Sequence, residues 1–414
     1  MNAFTIVFLT ALALSSAIEY WLTHRQIRYV RDHKNKVPED FRDTVSLESH
    51  QKAADYTIDK AKVANLDRIV SLVILLSLTL GGGIEAIQNF WMPLNLSPIL
   101  LGCALIFSVM LLTQLLELPL SIYQTFVIEE RYGFNRNTPA QFAKDLMLQI
   151  ILMLALGGAL LSLILWVMGS LGPYWWVLAW ALMMGFSFLM SWVFPTLIAP
   201  LFNKFSPLEE GSLKARIESL LERCGFKSKG IFVMDGSRRS GHGNAYFTGM
   251  GSSKRIVFFD TLVESLTQDE LEAVLAHELG HFKRKHTLKM LGTSTIITLV
   301  GFFLLGWISS QNWFYEGLGV STQNNATALL LFMMIAPIFS SFLQPIMAAV
   351  QRKYEFEADD FAALHADARF LIAALVKLYR ENASTLTPDP LYAAFHYSHP
   401  PAAIRIGNLH TKIA

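Results

Sequence analysis

Seven long apolar runs constrain what this chain of 414 residues can fold into. Each run is close to the ~20 residues that a helix needs to cross a bilayer. The chain is 53% hydrophobic and 16% charged, which is far from the composition of an ordinary soluble domain. The sequence therefore predicts a mainly α-helical, polytopic membrane protein with about seven transmembrane helices. The apolar runs cover residues 3–22, 69–90, 98–123, 147–170, 174–201, 288–309 and 327–350.

Lysine and arginine residues alternate between the connecting segments. The segments at 23–68 and 124–146 are rich in them, whereas those at 91–97 and 311–326 have none. Because positively charged loops stay in the cytoplasm, we expect the N-terminus outside and the C-terminus inside. The expected location is the bacterial inner membrane or the endoplasmic reticulum. The net charge is +1 and no basic stripe is visible, so no nucleic-acid partner is predicted.

The segment between the fifth and sixth runs has a different pattern, typical of a small α/β unit. A helical face at 213–221 precedes short strand patterns at 231–235, 244–249 and 255–260. Thr267 to Glu270 then forms a capping box at the start of a helix. The predicted organisation is helices 1–5 at 1–202 with cytoplasmic loops 23–68 and 124–146, a cytoplasmic protease insert at 203–287, helices 6 and 7 at 288–350, and a helical segment at 351–414.

The helix that follows the capping box contains the sequence HELGH. His277 and His281 are four residues apart, so a helix projects them from one face, where they can share a Zn²⁺ ion. Glu278 falls in the same arc, and its carboxylate can take a proton from water that the metal has acidified. The pattern predicts a zinc-dependent peptidase, in which these residues are two metal ligands and a general base.

A catalytic zinc site needs a third protein ligand and an open position for water. The metzincin arrangement is absent because Arg284 and Thr287 occupy the positions where that motif has glycine and histidine. His286 is out of phase with the histidine pair and is interpreted as a surface residue. The remaining source is a carboxylate on a downstream helix.

An acidic stretch directly after the last apolar run, YEFEADDF at 354–361, provides such carboxylates. Glu355 and Asp359 lie at i and i+4 on one helix face. This suits a ligand beside a carboxylate that orients a zinc-binding histidine. Spacing alone leaves a solvated acidic helix end as an equal alternative.

Together, HELGH, the downstream acids, HGNAYFTG at 242–249, EERYGFNRNT at 129–138 and YSHPP at 397–401 with Arg405 resemble the type-1 CAAX prenyl protease family. The resemblance covers about residues 19–409. It implies seven spans around a large water-filled chamber, with one Zn²⁺ per chain at its cytoplasmic end. It also implies the residue roles: His277, His281 and Glu355 as zinc ligands, Glu278 as general base and Asp359 as the orienting carboxylate.

The resemblance also suggests roles for two further stretches. His399 would reach the zinc and stabilise the oxyanion, with Arg405 nearby; the alternative is that His399 only shapes a turn. Asn244 and Ala245 would lie on a strand whose edge binds an extended substrate; the alternative is a plain core strand.

The expected function is a membrane metalloendopeptidase that acts on a peptide or protein substrate, with a prenylated C-terminus as one option. A quality-control protease of the heat-shock type is the nearest alternative. A transporter or channel with an incidental zinc site is the alternative from another class. Gln114 and Glu117 fit either a hydrated chamber or a transport path, and both should face the interior because lipid exposure would be costly.

Overall fold

The protein is described by a computed structural model that covers residues 2–248 and 254–413. Within these residues, six helical segments are long and apolar enough to cross a membrane, and a bent helix pair makes a seventh when it is counted as one span. The predicted polytopic, mainly α-helical fold is therefore confirmed. The segments are Ala3–His33, Leu47–Leu78 with Gly83–Leu94, Pro98–Glu129, Pro139–Ser170, Gly172–Phe202, His286–Ile308 and Asn325–His365.

The second span differs from the single continuous helix that the sequence indicates. Helix α1 (Ala3–His33) and α2 (Leu47–Leu78) are both long, and α2 is followed by the short α3 (Gly83–Trp91). The two parts of the span meet at an angle of 57°. Gly82 has a φ of 77°, a left-handed conformation that glycine adopts without the steric cost of a Cβ. The run is strongly apolar before the break and contains Glu85, Gln88 and Asn89 after it, so this change and the glycines at 81–83 both mark the bend in the sequence.

The third, fourth and fifth spans each contain a single π-helical turn, at Gln124–Glu129, Met153–Gly157 and Phe194–Ile198. Such turns insert an extra residue and rotate the helix faces on either side of it. The helices in these spans are α4 (Pro98–Tyr123), α5 (Pro139–Leu152), α6 (Gly158–Ser170), α7 (Trp175–Val193) and α8 (Ala199–Phe202).

The segment after the fifth span folds as the predicted α/β unit. Its four strands have the order β1-β2-β4-β3; β2 and β4 are parallel and the two outer pairs are antiparallel. The predicted strands are present, although Gly249 lies outside the described residues, and β1 was not predicted. The elements are β1 (Phe205–Pro207), α9 (Ser212–Arg223), β2 (Ile231–Met234), β3 (Ala245–Thr248), β4 (Arg255–Phe259), α10 (Asp260–Ser265) and α11 (Gln268–Lys283).

The remaining chain returns to the membrane and then closes over the α/β unit. One hydrophobic core joins α9, α11 and the sheet to α16 and to Phe361 and Ala362 of α15. The seventh span thus continues through α15 into the core of the protease unit. The helices are α12 (His286–Ile308), α13 (Asn312–Gly317), α14 (Asn325–Ser340), α15 (Gln344–His365), α16 (Ala368–Glu381), α17 (Pro390–His396) and α18 (Ala402–His410).

The helices surround a cavity of about 1460 Å³. Gln114 and Glu117 both line it, and Glu117 accepts a hydrogen bond of 2.9 Å from the Ser71 hydroxyl. The prediction that these two polar residues face the interior is therefore confirmed. The cavity extends to the sheet of the protease unit, where Tyr246 of β3 is part of its lining.

Candidate active site

The HELGH helix, α11, begins at the predicted capping box. The Thr267 side chain accepts a hydrogen bond from the Glu270 N–H, and the Glu270 carboxylate accepts one from the Thr267 N–H at 2.7 Å. Lys377 of α16 donates to the same carboxylate at 2.7 Å. This cap satisfies backbone donors that a helix N-terminus leaves unpaired, and it ties α11 to the C-terminal segment. The cap therefore fixes where the helix starts, and this in turn fixes the direction in which the two histidines point.

Three electron-pair donors converge between α11 and α15. The Nε2 atoms of His277 and His281 lie 3.2 Å apart. The Glu355 carboxylate lies 3.5 Å from the first of these nitrogens and 3.2 Å from the second. One donor atom from each residue lies within 4.8 Å of the others, which is compact enough to hold a metal ion. Two imidazoles and a carboxylate are the donor set of a catalytic zinc site.

Asp359 determines which nitrogen of His277 is free to bind a metal. The Nδ1 atom of His277 lies 2.8 Å from the Asp359 carboxylate, so Nδ1 carries the proton and donates it. In the neutral ring the lone pair is then on Nε2, the atom that faces Glu355. Burial alone would lower the pKa of His277, but Asp359 and Glu355 raise it to about 9. The site thus attracts a cation.

Arg405 lies behind this arrangement rather than at its open side. It is buried and donates two hydrogen bonds to Asp359, from Nε at 2.9 Å and from Nη2 at 2.6 Å. Its Nη1 atom lies 3.3 Å from Glu355. Burial would lower the pKa of Arg405, but the two carboxylates raise it. Arg405 therefore holds both carboxylates in place, since a buried charge needs paired partners.

Glu278 and His399 lie at the edge of the donor set. Glu278 is half-buried, and burial raises the pKa of its carboxyl group in spite of the two neighbouring histidines. His399 Nε2 lies 3.3 Å from the Glu355 carboxylate, while its Nδ1 atom lies 2.9 Å from the Ser398 hydroxyl. About 60% of the His399 side chain is exposed, so the ring can meet an incoming substrate. The structure thus brings both residues to the site.

Asn244 and Ala245 lie at the sheet edge. Within the described residues, β3 pairs with β4 alone, so its other edge is open. The Asn244 carbonyl accepts from Phe259 N–H at 2.9 Å. The alternation of an antiparallel ladder then turns the backbone of Ala245 toward the open edge. No hydrogen bond or ion pair joins these two residues to the donor set in the described parts of the chain.

The structure corrects the interpretation of His286 as a surface residue. The side chain is buried, with Nδ1 3.1 Å from His281 Nδ1 and Nε2 3.0 Å from the Glu357 carboxylate. Lys285 has a φ of 57° and starts a new helix at His286, which turns this ring back toward the histidine pair. Helical periodicity gave the wrong position for His286 because α11 ends at Lys283 and a new helix begins at His286. Its position five residues after His281 was the one signal available.

A bundle of membrane-spanning helices that holds an HExxH helix against a downstream glutamate defines a membrane-embedded zinc metallopeptidase. Comparisons with known proteins agree. Residues 26–204 match the family described as CAAX prenyl protease N-terminal, five membrane helices, and residues 207–413 match peptidase family M48.

Among individual proteins, the CAAX prenyl protease 1 homolog of Arabidopsis thaliana is 36% identical, with 89% of each chain covered. CAAX prenyl protease 1 of Saccharomyces cerevisiae is 33% identical, with 94% of this chain and 91% of the yeast protein covered. The crystal structure of Ste24p from S. mikatae superposes with a TM-score of 0.91 at 33% identity, covering 99% of both chains.

The chain belongs to the CAAX prenyl protease group of peptidase family M48. It is therefore a zinc metalloendopeptidase and an integral, multi-pass membrane protein. These matches favour the CAAX-type interpretation over both the heat-shock-type protease and the transporter.

Proposed function

We propose that this protein hydrolyses peptide bonds with one Zn²⁺ ion held by His277, His281 and Glu355. The observation that carries the proposal is the convergence of two imidazole Nε2 atoms and a carboxylate beside Glu278. When bound, zinc supplies a Lewis acid that polarises the substrate carbonyl and acidifies water.

Glu278 acts as the general base. Its half-buried carboxylate takes the proton from the attacking water and passes it to the leaving amine. Burial raises the pKa of the Glu278 carboxyl group. A carboxylate with a raised pKa is a better proton acceptor than a fully solvated one, which suits a general base. His399 donates to the oxyanion that develops on the carbonyl oxygen, and Arg405 with Asp359 keeps His277 and Glu355 in position.

The substrate is an extended peptide bound along the open edge of β3 at Asn244 and Ala245. Backbone hydrogen bonds at a free strand edge hold a peptide without regard to its side chains. The natural substrate class is a protein with a prenylated CAAX-type C-terminus. The names of the relatives support this, and so does the intramembrane cavity, whose lining includes Ile74, Leu75 and Val109. An apolar wall of this kind suits a lipid chain.

The active site faces the cytoplasm, with the N-terminus on the opposite side. The distribution of lysine and arginine among the connecting segments supports this orientation. The membrane is then a bacterial inner membrane or an endoplasmic reticulum membrane.

Purified full-length protein incubated with matched peptides, with and without a farnesyl group, tests the proposal when fragments are read by mass spectrometry. The native protein should cleave, with preference for the farnesylated peptide. Glu278→Gln should keep its zinc and lose cleavage, while Glu264→Gln, at an exposed site on α10, should match the native protein. Comparable turnover by Glu278→Gln would refute Glu278 as the general base. Equal cleavage of both peptides would refute the preference for a prenylated substrate.

A further inference from the structure

His286 contacts His281 of the histidine pair, but the proposed peptidase mechanism gives it no role. Its buried ring lies between His281 and Glu357, with Nδ1 toward the histidine at 3.1 Å and Nε2 toward the carboxylate at 3.0 Å. The ring also stacks on Tyr354, with centroids 4.3 Å apart and planes 12° from parallel. Its position is thus determined from three sides.

The protons in this chain of contacts can be assigned from chemistry. An ionised carboxylate only accepts hydrogen bonds, so the Nε2 atom of His286 carries a proton and donates it to Glu357. A neutral imidazole has one proton, so the Nδ1 atom of His286 is an acceptor. The Nδ1 atom of His281 must then be the donor. The lone pair of His281 is left on Nε2, the atom that faces His277 and Glu355.

We infer that His286 is a positioning residue that fixes the tautomer and ring orientation of His281, and that Glu357 fixes His286 in turn. Asp359 has the same relation to His277, but by direct contact. The two zinc-binding histidines are therefore oriented by different devices, one a carboxylate and the other a histidine–glutamate pair. The inference rests on the proposed zinc site.

The test compares variants of full-length protein in detergent by their zinc affinity, measured by competition with a chelator. His286→Leu fills much of the space but cannot accept a hydrogen bond, and we expect zinc affinity to fall about 10- to 100-fold. His286→Asn places an amide oxygen near the Nδ1 position and should restore most of the affinity. His365→Leu, which removes a ring stacked on Phe361 at the end of α15, is the matched control and should bind zinc like the native protein.

Substitution of Co²⁺ for Zn²⁺ provides a measurement that does not depend on folding stability. The visible spectrum of Co²⁺-loaded His286→Leu should shift relative to the native protein, because the ring of His281 is no longer held in one orientation. Native affinity and spectrum in His286→Leu would overturn the inference, as would equal weakening in the Leu and Asn variants at equal melting temperature. Failure of the native protein to bind zinc would instead overturn the proposed function.

Discussion

Gly280 of α11 lies directly against Ala358 of α15. A Cβ atom built on Gly280 would lie 2.9 Å from the Ala358 Cα atom and 3.0 Å from its carbonyl oxygen. Both atoms belong to the backbone, so no side-chain rotation can relieve the contact. The glycine within HELGH thus allows the histidine-bearing helix to approach the helix that carries Glu355 and Asp359.

We therefore predict that Gly280→Ala separates α11 from α15 and lowers both stability and zinc affinity. Overpacking of this kind typically costs ~1–3 kcal/mol. Gly292→Ala is the matched control, because a Cβ there meets nothing within 4 Å and alanine favours the helix. Thermal unfolding and zinc content should distinguish the two variants. Native zinc binding and stability in Gly280→Ala would show that the helices tolerate a larger separation.

The second prediction concerns Asp359, which receives hydrogen bonds from both His277 and Arg405. Asp359→Asn removes the charge that holds the His277 tautomer and leaves Arg405 with weaker pairing. Zinc affinity should fall about 10- to 100-fold, the usual effect of removing such a partner. Asp360→Asn is the control: its carboxylate is 41% exposed and pairs with Lys412. Chelator competition on both proteins is the measurement, and equal affinities would remove Asp359 from the site.

Some of the site could be predicted from the sequence because it depends on local spacing. The i, i+4 histidines and the capping box belong to one helix, and their geometry follows from helical periodicity. The choice between Glu355 and Glu357 depends on how α15 packs on α11. In the structure Glu355 faces the histidine pair and Glu357 faces His286.

The position of His286 depends on a backbone conformation that the residue type does not favour. Lys285 adopts a left-handed φ, which a lysine rarely does, and this turn buries His286. Such a turn arises from tertiary contacts and could not be predicted from residue spacing. The bend in the second span, in contrast, lies at Gly82, where glycine favours the left-handed conformation.

The third prediction tests the orientation in the membrane. Single cysteines at the exposed positions 40, 229 and 323 should react differently with a membrane-impermeant maleimide. Those at 40 and 229 should be labelled only from the cytoplasmic side and that at 323 only from the other, because only the first two lie in lysine- and arginine-rich segments. Cys103 and Cys224 are buried, so they leave a low background. Labelling of all three from one side would contradict the orientation.

The last prediction concerns His399, whose exposed ring touches the Glu355 carboxylate at 3.3 Å. A group that stabilises the oxyanion acts on charge that develops only in the transition state. Its removal therefore lowers kcat with little change in KM. For His399→Ala we expect a loss of about 10²- to 10³-fold, the typical effect of deleting one such donor. Zinc content should stay normal, because the proposed ligands are untouched.

A role in shaping the turn before α18 would have a different signature. His399→Ala would then unfold at a lower temperature and give less protein, while kcat per zinc-loaded molecule stayed at the native value. His399→Gln separates the two roles further, since its amide can donate a hydrogen bond and should recover part of the lost kcat. The measurement is zinc per chain, melting temperature, kcat and KM on one preparation of each variant. Unchanged kcat with a depressed melting temperature would assign His399 to the turn and leave Glu278 and the metal to perform hydrolysis without it.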